Sequence, residues 1–130
     1  MKQVLIVEDQ RMPRENMERV ISESDNYTLS ASVNGADVAL AICRRQCIDL
    51  ILMDVCTSGN KDGIEAAAEI KAELPNIKII IVTSMVEVGY LQRAREAKVD
   101  SLVLSWGPAP PPGKIIINYK NYVARGHILL

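Results

Sequence analysis

Asp49-Leu50-Ile51-Leu52-Met53-Asp54 decides the fold, because four apolar residues run without a polar break between two aspartates. So short and uniform a run predicts a strand covered on both faces, as in a parallel sheet. The earlier run Val4-Leu5-Ile6-Val7 ends in the same way, in Glu8-Asp9. Two such strands lying together carry their terminal carboxylates to one edge. An open α/β sheet binds its ligands beyond the carboxyl ends of its strands. Glu8, Asp9 and Asp54 therefore predict a cation site, since hard divalent cations take oxygen ligands.

Working outward, apolar runs alternate with segments of helical period. A strand at Gln3–Val7 leads through the acidic loop to a helix from about Pro13 to Ser24, with Met17, Val20 and Ile21 as its apolar face. Pro13 suits a first helical turn, where its missing donor costs nothing. Tyr27, Leu29, Ala31 and Val33 alternate with polar residues, which predicts an edge strand with one solvated face, ended by Asn34-Gly35. Ala36, Ala39, Leu40 and Cys43 have the spacing of a second helix. After the strand that ends at Asp54, Asp62-Gly63 closes a loop. Ile64, Ala67, Ile70 and Leu74 then supply a third helix, stopped by Pro75-Asn76. Lys78-Ile-Ile-Ile-Val82 is a β-branched run that ends in Thr83-Ser84. A fourth helix is expected over about Val86–Ala97 and a short strand over Ser101–Leu104. Five strands alternating with four helices predict a doubly wound parallel α/β sheet.

Composition narrows the possible functions. The chain has 130 residues, 48% of them hydrophobic and 24% charged, enough for one core and one domain. A separate output domain has no room within that length. A formal net charge of -1 provides no electrostatic footprint for direct nucleic-acid binding. No apolar run approaches the roughly 20 residues of a membrane span. Met1-Lys2-Gln3 runs straight into a strand, without the pattern of a secretion signal, so a cytoplasmic location is expected. Cys43, Cys47 and Cys56 are too few for a disulfide framework. Cys43 and Cys47 stand at i,i+4 spacing without further ligands nearby, so a structural role is expected of them.

Val-Leu-Ile-Val-Glu8-Asp9, Leu-Ile-Leu-Met-Asp54-Val, Asp62-Gly-Ile-Glu65-Ala, Ile-Ile-Val-Thr83-Ser and Ala94-Arg-Glu-Ala-Lys-Val-Asp100-Ser are each weak signals. In this order and spacing they are specific. Residues 1–104 resemble the CheY-like receiver domain of two-component response regulators. The resemblance implies a flavodoxin-like five-stranded sheet with strand order 2-1-3-4-5. It also implies a signalling switch rather than an enzyme. In that family Asp54 would be the phosphoacceptor, served by a histidine kinase or a histidine phosphotransfer protein. Glu8, Asp9, Asp54 and the backbone carbonyl of Cys56 would hold Mg²⁺. Thr83 would supply the hydroxyl that turns toward the phosphoryl group and switches a protein-interaction face. The chemistry is coherent: a carboxylate attacks an anionic phosphoryl group poorly unless a cation neutralises the charge that accumulates.

The sequence also departs from the family. Ser105 stands where a lysine is expected, and Leu102 where an aromatic residue is common. The loop Val55–Asp62 lacks the usual Met-Pro pair and is one residue longer than the commonest pattern. From Trp106 to Gly113 the chain reads Trp-Gly-Pro-Ala-Pro-Pro-Pro-Gly, which cannot form a fifth helix. Residues 105–130 are thus expected to be an atypical Pro-rich tail, with a strand at Ile115–Ile117. An uncovered apolar face there predicts a homodimer or tail-mediated self-association. Two functions from different classes are consistent with these features. The first is a phosphorylatable module. The alternative is a degenerate, phosphorylation-independent receiver that serves as a protein-binding scaffold. The complete acidic trio and Thr83 favour the first, Ser105 and the tail the second. Conventional enzymes fit less well, because the chain has no glycine-rich phosphate loop after the first strand and no Ser-His pair.

Overall fold

The computed structural model describes residues 1–57, 59–83, 89–104 and 127–129, with Leu104 and residues 127–129 described by backbone alone. The elements in order are β1 (Lys2–Val7), α1 (Arg11–Ser22), β2 (Tyr27–Val33), a 3₁₀ turn (Ala36–Val38), α2 (Ala39–Arg45), β3 (Leu50–Met53), α3 (Gly63–Glu73), β4 (Lys78–Thr83), α4 (Tyr90–Glu96), β5 (Ser101–Leu104) and β6 (His127–Leu129). Strands β1 to β5 are parallel in the order 2-1-3-4-5, the flavodoxin-like arrangement expected.

Side chains alternate across the strands, so each strand feeds two cores. Val4, Ile6, Leu50, Leu52, Ile80, Val82 and Val103 pack toward Val20 and Ile21 of α1. Leu5, Val7, Ile51, Met53, Ile79, Ile81 and Leu102 form the opposite layer with α2, α3 and α4. Burial on both faces is what made the apolar runs of β1, β3 and β4 continuous.

Several expectations are corrected. The first helix begins at Arg11 rather than Pro13, which leaves Pro13 still in the first turn, where amides have no helical partner. The segment 36–38 is a 3₁₀ turn leading into α2, although Ala36 remains buried as its spacing required. β2 does lie at the sheet edge, but its alternating residues do not share one face. The pairing with β1 slips between Val4–Leu29 and Leu5–Ala31, so Ser30 is an extra residue in the strand. Such a bulge reverses the facing of the residues beyond it. Tyr27 accordingly packs on the α1 layer, Ala31 and Val33 on the other, and Leu29 is exposed.

One strand was unforeseen. His127–Leu129 pairs antiparallel with β5, with Leu102 opposite Ile128, and makes the sheet six-stranded. Ser105, the proline-rich stretch and the expected strand at Ile115–Ile117 lie outside the described residues, as do residues 84–88, where the fourth helix was expected to begin. No described helix is long and apolar enough to cross a membrane.

Candidate functional site

The register of β1 and β3 builds the site. Val7 stands beside Met53, so the next residues, Glu8 and Asp54, leave the sheet side by side. The ladder continues one step further, with the Asp54 amide donating to the Val7 carbonyl at 2.9 Å and the Glu8 amide to the Val33 carbonyl at 3.0 Å. Glu8, Asp9 and Asp54 each offer a carboxylate oxygen, and these oxygens all lie within 4.8 Å of one another. Glu8 is buried, Asp54 half-buried and Asp9 exposed.

The electrostatics of this trio are unfavourable to its own charges. Burial, followed by the neighbouring Asp54 charge, pushes the Glu8 carboxyl up to about 8. Burial also raises Asp54, while a hydrogen bond from Glu8 and the backbone amides of Val55 and Cys56 draw it back down. Near neutral pH the physical outcome is a proton held on Glu8 and donated to the Asp54 carboxylate. Among the described residues, no ion pair engages Glu8, Asp9 or Asp54. The nearest guanidinium contact is Arg14 Nη1, which donates to the backbone carbonyl of Glu8 at 3.3 Å rather than to a carboxylate. Three hard oxygen donors with no cationic partner among the described residues, two of them sharing a proton, fit a divalent ion such as Mg²⁺.

The remaining predicted residues lie around this trio. Thr83 is buried at the end of β4, on the same sheet edge, paired with Leu104 of β5. Position 105 comes directly after in the chain and lies outside the described residues. Cys56 is exposed two residues after Asp54, with its Sγ 3.9 Å from Tyr90 Oη.

Sequence reasoning missed how tightly the loop after β3 is held. The Thr57 hydroxyl accepts from the Ala36 amide at 3.0 Å, and the Gly63 amide donates to the Val55 carbonyl at 2.9 Å. An added Cβ on Gly63 would overlap the Asp54 carbonyl oxygen and come within 2.8 Å of Met53 Cγ, so only glycine lets α3 start here. Asp62 caps α3, one carboxylate oxygen accepting from the Glu65 amide at 2.8 Å and the other meeting Arg93 Nη2 at 2.6 Å. The Asp62-Gly63 pair was a visible signal for the cap. Nothing in the sequence pointed to Arg93.

Known proteins provide an independent comparison. A sequence model of the response regulator receiver domain matches residues 4–104. The response regulator protein VraR of Staphylococcus aureus is 37% identical over 102 residues, which cover 78% of this chain and 48% of VraR. The chain thus spans about half the length of the curated relatives it matches. A DNA-binding response regulator of the LuxR family from Staphylococcus aureus superimposes with a TM-score of 0.80 at 26% identity, covering 92% of this chain and 97% of that one. The isolated REC domain of RcsB from Salmonella enterica serovar Typhimurium, solved with the phosphomimetic BeF3-, has a TM-score of 0.79 at 16% identity, a likeness of fold alone. It covers 92% of this chain and 88% of that chain.

Proposed function

Because this chain belongs to the response regulator receiver family, a signalling module rather than a conventional enzyme, we propose that it accepts a phosphoryl group on Asp54. The donor is a phosphohistidine of a histidine kinase or a histidine phosphotransfer protein. An Asp54 oxygen attacks phosphorus, the P–O bond forms as the P–N bond breaks, and the histidine nitrogen leaves with the bonding electron pair. Mg²⁺, when bound by Glu8, Asp9, Asp54 and the Cys56 carbonyl, supplies charge neutralisation for that transfer. Glu8 and Asp54 must surrender their shared proton before both can act as ligands. Thr83, at the end of the adjacent strand, hydrogen-bonds the phosphoryl oxygens, a contact to an ionised acceptor worth about 2 kcal/mol.

In this reading residues 1–104 are the switch and residues 105–130 an atypical tail. A net charge of -1 leaves DNA contact to other chain segments or partners, and the cytoplasm is the location that suits such a donor.

The observation that carries the proposal is the carboxylate trio within 4.8 Å that no cationic side chain compensates among the described residues. Intact mass after incubation with acetyl phosphate tests it. The expected result is one phosphoryl adduct that requires Mg²⁺ and is absent from Asp54→Asn. Folded wild-type protein that takes up no phosphoryl group with Mg²⁺ present, from acetyl phosphate or from a phosphohistidine donor, overturns the proposal.

A further inference from the structure

Between β3 and α3 the chain is held at both ends and on both flanks. The Gly63 amide bonded to the Val55 carbonyl closes residues 55–63 into a ring. One flank is fixed to the turn before α2 through Thr57. The other faces α4: Cys56 Sγ meets Tyr90 Oη, and Asp62 meets Arg93. Gly63 sits against the Asp54 carbonyl with no room for a single carbon, so the backbone of Asp54 cannot shift without displacing the start of α3 and its cap, Asp62.

We infer that the Asp62–Arg93 ion pair is the contact through which the Asp54 pocket acts on α4, with Arg93 as a positioning residue outside the pocket. The inference rests on phosphorylation of Asp54 as proposed above. A phosphoryl group adds about 1.5 to 2 negative charges to a pocket that already repels its own carboxylates. The loop that carries the Val55 and Cys56 amides must reorganise around that charge, and the ring closure transmits any shift at 55–56 to 62–63. Asp62 then changes its hold on Arg93, and α4 moves with it.

The geometry suits a switch better than a staple. The Asp62 and Arg93 side chains are 34% and 41% exposed. An ion pair that open to solvent contributes little to global stability, so it can be exchanged without cost to the fold. Its short contact, 2.6 Å, still defines one position of α4 against the loop. Coupling needs an element with two arrangements that both sites bias, and a bridged and a released Arg93 are two such arrangements.

Amide hydrogen exchange across Tyr90–Glu96, with and without acetyl phosphate and Mg²⁺, reads the coupling directly. Wild-type protein is expected to change its exchange in α4 on phosphorylation. Arg93→Gln is expected to take up the phosphoryl group to the same extent by mass, while its phosphorylation-dependent change in α4 falls by about threefold or more. Asp62→Asn, which keeps an oxygen to cap α3, is expected to behave likewise. An undiminished α4 response in folded Arg93→Gln and Asp62→Asn overturns the inference. So does a phosphorylated wild-type protein whose α4 is silent, or loss of the adduct itself in both variants, which would place the pair in the acceptor chemistry. Wild-type protein that takes no phosphoryl group removes the phosphoacceptor reading, and this inference with it.

Discussion

The two ends of the central sheet treat their acidic residues in opposite ways. At the amino end, Asp100 is fully engaged: it meets Lys71 Nζ at 2.8 Å and Lys78 Nζ at 3.7 Å, and accepts from the Ile79 amide at 2.8 Å. Asp49 at the same end accepts from the Gln3 amide at 2.7 Å. At the carboxyl end, Glu8, Asp9 and Asp54 crowd together with no cationic side chain paired to them among the described residues, and Glu8 keeps a proton up to about pH 8. The first arrangement ties β4, β5 and α3 together. The second strains against itself, and an uncompensated cluster in a folded protein marks where a ligand is expected. The same side-chain chemistry thus separates scaffold from site according to its partners.

The largest expected effect tests the scaffold end. Asp100→Ala leaves the Lys71 ammonium, whose side chain is only 8% exposed, without its carboxylate and with only the Pro75 carbonyl at 3.4 Å, and orphans the Ile79 amide. Chemical denaturation should show a loss of about 3 kcal/mol, and a loss below about 1 kcal/mol would erase the contrast between the ends. The next effect tests the site end through pH. The folded Glu8 carboxyl titrates near 8 and the unfolded one near 4.5, so between these values the native state holds a proton that the unfolded chain has lost. Stability of the metal-free protein should therefore fall steadily as pH rises from about 5 to 8. Glu8→Gln should flatten that slope, and Mg²⁺ at pH 8 should restore the loss in wild type only. A wild-type profile parallel to that of Glu8→Gln would remove the stored repulsion from the account.

The smallest effect sharpens the scaffold end. Ser101, next to Asp100, has a buried hydroxyl with no hydrogen-bond partner among the described residues. Ser101→Ala should stabilise the protein by about 1 kcal/mol, read as a higher denaturation midpoint with an unchanged slope. Destabilisation instead would mean that the hydroxyl has a partner after all.

Much of this contrast could be read from residue order. Val4–Val7, Leu50–Met53 and Ile79–Val82 are buried on both faces, so their strands showed as unbroken apolar runs, and their acidic ends marked the site edge. The family motifs located Asp54, Glu8 and Asp9, and register alone brought them together. What escaped depended on contacts between distant residues. The bulge at Ser30, which sends Tyr27 and Val33 to opposite layers, leaves no trace in an alternating pattern. A three-residue antiparallel strand has no period to detect. Arg93 was one more arginine on a helix until the fold set it against Asp62.

That late strand also affects how the molecule is made. β1 to β5 use only residues 2–104, each strand after β1 pairing with one already synthesised, and can assemble in order as the chain emerges. The outer edge of β5, by contrast, waits for residues 127–129 to arrive from far downstream. Pairing between residues so far apart in sequence is slow compared with local pairing, and an open strand edge recruits other chains in the interval. The newborn protein therefore carries an open edge at β5, on the opposite side of the sheet from edge strand β2, until β6 has been made and has paired with it.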